Sequence, residues 1–162
     1  MTGRPGTDGV VAAMAALRRR CPWSSAQDHG SLEKFAREET EELIEALEDY
    51  REEPSAAHRD SLIEELGDVF YQVLFHSALL DESSAAGPDD SRAVGSDGEG
   101  TDVRYGGTLQ LIIDRLEEKL IRRHPFAFGE DAEDGRMAPL ADVEAEYTRI
   151  KSLERQRKDA QQ

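Results

Sequence analysis

Two short acidic runs hold the residues whose types and spacing suggest chemistry: Glu38-Glu39-Thr40-Glu41-Glu42 and, further along, Glu65-Leu66-Gly67-Asp68. Each contains carboxylates three residues apart, Glu39 with Glu42 and Glu65 with Asp68. On a helix turning about 100° per residue such a pair lies on one face, about a turn apart. Two pairs on antiparallel helices can then converge on one site. A solvated acidic face is the ordinary reading of a Glu-rich helix, but the helical wheel opposes it. Phe35, Leu43, Ala46 and Tyr50 fall within roughly 40° of Glu39, so this carboxylate points into an apolar stripe, whereas Glu41 and Glu45 point away. Glu65 and Asp68 flank a second stripe formed by Leu62, Leu66, Val69 and Val73, with Glu64 facing further outward. A carboxylate on such a stripe is costly without a partner, and several together repel and raise one another's pKa. A divalent cation relieves both costs. All-oxygen ligation, with no His or Cys at ligand spacing, suits Mg²⁺, with Mn²⁺ as a substitute, rather than zinc. Neither helix supplies the Glu-x-x-His of a di-iron site. Phosphate chemistry is the common use of such magnesium sites, since the cation neutralises phosphate oxygens and acidifies attacking water.

The elements that must position these acids are helical. Val10, Val11, Met14 and Leu17 mark a first helix to Arg20, which Pro22 stops. Ser31 precedes a long helix to about Arg51, with Pro54 beyond its end, and a further helix covers about 58–81. From 82 to 107 the composition turns to Gly, Ser, Asp and Ala, which predicts a flexible loop. Leu109, Ile112, Ile113, Leu116 and Leu120 predict a helix over about 108–123, ended by Pro125, and a last helix follows over about 140–157. With no convincing strand pattern, the fold is expected to be all-α, a bundle of four to five helices in one domain spanning 1–162.

Only 38% of residues are apolar while 34% are charged, a shortage of core that homo-oligomerisation would ease. The net charge of -15 opposes a nucleic-acid or anionic-membrane surface, so a phosphate substrate would need bound cations. The lone Cys21 rules out an internal disulfide framework, and no run approaches the ~20 apolar residues of a membrane span. A cytoplasmic protein is expected.

At this point the residues resemble the MazG family. Its pattern Glu-Glu-x-x-Glu, 22 intervening residues, then Glu-x-x-Asp is met by Glu38, Glu39, Glu42, Glu65 and Asp68. Cys21-Pro22-Trp23 with Gln27, His29, Ser31 and Leu32 is similar to the family's leading segment, and Lys119-Leu120-Ile121-Arg122-Arg123-His124-Pro125 to its basic helix end. The resemblance implies a helical fold, usually a homodimer or higher homo-oligomer. It also implies Mg²⁺-dependent hydrolysis of nucleoside triphosphates, NTP or dNTP, to a monophosphate and pyrophosphate, in nucleotide-pool house-cleaning. Carried over, it makes Glu39, Glu42, Glu65 and Asp68 the metal ligands and gives Glu38 a second metal or the water to orient. Lys119, Arg123, Tyr147 and Lys151 match positions expected to contact the nucleotide, and Trp23 either anchors the core or stacks on a base. Ser24 and Asp28 stand where the family usually has Asp and Thr, and Tyr147 where it usually has Trp, departures that bear on substrate choice. The alternatives are a pyrophosphatase selective for dUTP, dCTP or a damaged nucleotide, and a non-catalytic scaffold stabilised by metal.

Overall fold

The computed structural model describes residues 6–85, 103–129 and 137–160. Among these, every regular element is helical: α1 (Thr7–Arg20), α2 (Pro22–Ser25), α3 (His29–Glu52), α4 (Ala56–Ala85), α5 (Gly107–Arg123), α6 (Pro125–Phe128) and α7 (Leu140–Asp159). The all-α expectation holds, with the one-turn helices α2 and α6 added to the elements that periodicity finds. Both open on a proline, Pro22 and Pro125. Proline suits a first helical position, where its missing N–H costs nothing, so residues read as terminators also start a turn. The chain divides into two compact units, Met1–Gln110 and Leu111–Gln162.

In the first unit α3 and α4 form a helical hairpin, the main packing contact. The start of α3 lies earlier than Ser31. Asp28 is the N-cap, accepting from the Ser31 N–H at 2.7 Å, while the Ser31 hydroxyl accepts from the Asp28 N–H at 3.0 Å. The reciprocal pair satisfies two orphan donors at the helix start. At the turn into α4, the Ser55 hydroxyl accepts from the His58 N–H at 3.1 Å. Met14, Leu32, Phe75 and Ala78 form the core, with Phe35, Tyr71, Leu79 and Tyr105 packed around it. Leu66, expected on the buried stripe, is 52% exposed, because the buried face of α4 is developed only between Gln72 and Asp81.

Buried Arg18 fastens α1 to this core. Its Nε and Nη2 donate to the two Glu82 oxygens at 2.7 Å each, and its Nη1 donates to the carbonyls of Ser24 and of Gln27. Glu82 also accepts from the Tyr105 hydroxyl at 2.8 Å. The hydrogen bond from Arg18 holds the Glu82 carboxyl below its usual range, while burial and the Glu82 contact push the Tyr105 phenol up to about 12. Beside it, Asp81 accepts from the N–H groups of Gly106 at 2.7 Å and Thr108 at 2.8 Å and from the Thr108 hydroxyl at 2.6 Å. Gly106 has φ +101°, and a Cβ there would come within 3.1 Å of Val11. Of the segment expected to loop from 82 to 107, residues 82–85 belong to α4, and 103–107 run into α5 against Asp81 and Glu82. Residues 86–102 lie outside the described residues.

Where α3 begins, the His29 and His76 Nδ1 atoms lie 2.7 Å apart, with rings stacked at 5.0 Å between centroids. Burial, and then His29, lower the pKa of His76. Glu33, Arg37 and Glu41 line an open pocket with His76.

Two outcomes follow from these contacts. Replacing residues 86–102 with a short Gly/Ser linker should leave the helical circular-dichroism signal and cooperative melting intact, since linker length enters closure entropy only logarithmically. Extending the deletion through Tyr105 should lower the melting temperature. A lowered His76 pKa means that the folded state binds fewer protons than the unfolded chain as pH falls below the ordinary imidazole value of about 6.5. Stability should drop through that window, and His76→Phe should flatten the drop in denaturant titrations at several pH values.

Candidate functional site

The hairpin brings the acids of α3 and α4 together. One carboxylate oxygen each from Glu39, Glu42 and Glu65 lie within 4.8 Å of one another. Glu39 and Glu65 are half-buried and Glu42 is exposed, as the core-facing position of Glu39 on the helical wheel implies. Asp68, also expected as a ligand, is exposed and lies outside this trio, although its charge acts on both Glu39 and Glu65. Glu38 is exposed and adds to the negative field at Glu39.

Burial, followed by the neighbouring carboxylates Asp68, Glu42, Glu65 and Glu38, raises the pKa of Glu39; burial, then Glu42, Asp68 and Glu64, raise that of Glu65. The ion pairs of the described residues engage none of these site acids. The Oε2 atom of Glu65 is buried and has no hydrogen-bond partner. A buried carboxylate oxygen with no donor, held beside two further carboxylates, is costly as it stands. The all-oxygen set fits a hard divalent cation, which would supply the missing positive charge. Gly67 plays no part in close packing here, because an added Cβ would meet open space.

Around the start of α3, Trp23 of α2, Gln27, and Ser31, Lys34, Phe35 and Arg37 of α3 help to line an open pocket of 520 Å³. Trp23 packs against the core with one ring edge and leaves the rest of its surface open. Its ring sits edge-on to Phe35 at 5.6 Å and Phe75 at 6.2 Å, yet the residue remains 48% exposed. The two unusual residues of this segment are structural in place. Asp28 caps α3, and Ser24 is buried with its carbonyl accepting from Arg18; neither lines the pocket.

In the second unit Arg123, at the end of α5, meets α7. Arg123 donates through Nε at 3.1 Å and Nη2 at 2.7 Å to Glu154 Oε2, and through Nη1 at 3.4 Å to the Tyr147 hydroxyl. Its guanidinium carbon lies 5.7 Å from the centre of the Tyr147 ring. Arg122 donates through Nε to Glu154 Oε1 at 2.7 Å. His124 Nδ1 meets the Leu120 carbonyl at 2.7 Å, and its ring tilts against Tyr147 at 5.6 Å. Lys119 and Lys151 enter none of the described ion pairs. Glu154 was absent from the sequence-based candidates. The one signal for it is weak: it lies three residues after Lys151 and seven after Tyr147, on the same α7 face.

Comparison with known proteins bears on this arrangement. The MazG nucleotide pyrophosphohydrolase domain family matches residues 27–90, a span that holds all five acidic candidates. An uncharacterized 26.1 kDa protein from the blaB 3′ region of Streptomyces cacaoi is 36% identical over 90% of this chain and 48% of its own length. The nucleoside triphosphate pyrophosphohydrolase/pyrophosphatase MazG of Thermotoga maritima is 35% identical over 75% of this chain and 37% of its own length. The nucleoside triphosphate pyrophosphohydrolase of Escherichia coli K12 is 28% identical over 93% of this chain and 46% of its own length. The chain thus spans less than half the length of each of these curated relatives. The crystal structure of a mazG-related protein from Thermotoga maritima shares the fold, with a TM-score of 0.58 and 23% identity over 90% of this chain and 98% of that one. With the acidic hairpin inside the matched span, residues 27–90 form a domain of the MazG nucleotide pyrophosphohydrolase family.

Proposed function

We propose that this chain hydrolyses nucleoside triphosphates, NTP or dNTP, to a monophosphate and pyrophosphate, using Mg²⁺ held by Glu39, Glu42, Glu65 and Asp68. The observation that carries this reading is the convergence of unpaired carboxylates from α3 and α4, with one buried Glu65 oxygen left without a donor. When bound, the cation would neutralise phosphate oxygens and make water a better nucleophile. Mn²⁺ satisfies the same oxygen ligands.

The chain's own residues supply the rest. Glu38, exposed beside Glu39, can orient the attacking water and accept its proton on a carboxylate oxygen. Lys119, Arg123 and Lys151 balance the remaining phosphate charge, and Trp23 and Tyr147 offer aromatic faces to the base. Attack at the α phosphorus breaks the bond to the bridging oxygen, so pyrophosphate leaves intact. That choice of bond rests on the names of the relatives. The same reading takes 1–162 as one catalytic domain in the cytoplasm, serving nucleotide-pool house-cleaning. It also takes the chain as a homodimer or higher homo-oligomer, which would cover the exposed Ile44 and Leu47 of α3 and Ile63, Leu66 and Phe70 of α4.

Product analysis tests the reaction. Incubation with a panel of NTPs, dNTPs and damaged nucleotides plus Mg²⁺ should release a monophosphate and pyrophosphate in equal amounts. Initial appearance of a diphosphate with orthophosphate would refute it. Glu39→Gln should cost on the order of 10²-fold or more in kcat while leaving the helical signal unchanged.

The electrostatics give a second test. Raised pKa values mean that ionised Glu39 and Glu65 weigh against the folded state at neutral pH. The burden lifts as pH falls through their folded values toward the unfolded carboxylate value of about 4.3. Glu65→Gln should therefore raise the melting temperature of the metal-free protein. Mn²⁺ at a hundredfold excess over its Kd should stabilise the unaltered chain by about 2.7 kcal/mol at neutral pH. Protons should weaken this effect in acid, and Glu65→Gln should diminish it.

A further inference from the structure

Glu154 sits at the centre of a polar cluster that the proposed reaction does not explain. Each of its carboxylate oxygens takes a different arginine, Oε1 from Arg122 and Oε2 from Arg123. The two arginines end α5, while Glu154 stands on α7 two turns beyond Tyr147, with Lys151 between them on the same face. Arg123 thus spans Lys151, touching α7 at Glu154 on one side and at the Tyr147 hydroxyl on the other.

A guanidinium carries five N–H donors in a rigid plane. In Arg123 three are engaged: Nε and one on Nη2 by Glu154, and one on Nη1 by Tyr147. One donor on each terminal nitrogen remains, in a plane fixed at both ends. An arginine side chain otherwise loses considerable rotamer freedom on ordering, and a partner that orders it beforehand removes that cost from ligand binding. The paired arginines hold Glu154 ionised, with its pKa pushed down to about 2, so the anchor keeps its charge across the pH range of any ordinary assay.

We propose that Glu154 is a positioning residue that fixes the Arg123 guanidinium against Tyr147, so that Arg123 and Lys151 act as one preformed clamp for the triphosphate. This rests on the hydrolase reading above. It assigns Glu154 no contact with substrate. An ordinary ion pair that merely joins two helices would alter stability without depending on Arg123 for any effect on nucleotide affinity.

The test is a double-mutant cycle on the full-length chain, with KM and kcat measured for a hydrolysed nucleotide. Glu154→Ala should raise KM by about tenfold with kcat changed by less than about threefold. Made on an Arg123→Ala background, the same change should shift KM by less than about twofold, because residues acting through one another are non-additive. Glu154→Gln, which keeps an acceptor oxygen, should fall between the parent and Glu154→Ala. It also carries the cycle if the alanine variant fails to fold. Equal KM increases on both backgrounds would overturn the proposal. So would a lowered KM in Glu154→Ala, which would make Glu154 a competitor of the phosphate for Arg123. Failure of the unaltered protein to hydrolyse any nucleotide would instead remove the hydrolase reading itself, and the clamp with it.

Discussion

The buried guanidinium of Arg18 is the constraint on which the first unit depends. With its side chain only 8% exposed, it must have its donors satisfied from within. Glu82 accepts on two oxygens, and the carbonyls of Ser24 and Gln27 accept the remainder that the contacts identify. One charge thereby ties α1 to α4 and pins the short α2 turn that leads into α3. Trp23 and the start of α3 are consequences of that pinning, since both lie within the segment the guanidinium holds. Removing Glu82 would leave a buried cation without its counter-charge, a far greater disturbance than the loss of a surface pair.

Against this fastening stands a deliberate electrostatic cost. Glu39, Glu42 and Glu65 crowd together and enter no ion pair among the described residues. Arg18 pairs with Glu82 rather than with these acids. In the second unit the opposite sign is managed with equal economy: Arg122 and Arg123 share a single glutamate while Lys119 and Lys151 form none of the described pairs.

Local periodicity made much of this legible in the sequence. The wheel separated Glu39 from Glu41 and Glu45, and the structure keeps that distinction in burial. Spacing alone paired Glu39 with Glu42, and the hairpin adds Glu65. Periodicity misled at Leu66, because an apolar stripe states what a helix can bury and not where its neighbours end. The start of α3 was misplaced because both Asp28 and Ser31 are capping residues, and only geometry tells the cap from its reciprocal partner. Arg18 and Glu82 lie 64 positions apart, beyond any local pattern. Glu154 shares a helix face with Tyr147 and Lys151, but in a chain with 35 acidic residues that spacing alone does not single it out.

All the buried residues of the thirty-residue α4 fall between Gln72 and Asp81, whereas Glu65 and Asp68 lie in the half toward Ala56, beside exposed Ile63 and Leu66. The helix is therefore continuous in hydrogen bonding but graded in tenacity. Its distal half opens only with the core, while its acidic half can breathe by local fraying. In an isolated chain, amide hydrogens from about 56 to 70 would exchange with solvent well before those from 72 to 81. The acids occupy the end of the rod where the backbone is least committed, and a ligand drawing them together would slow that exchange from the site outward.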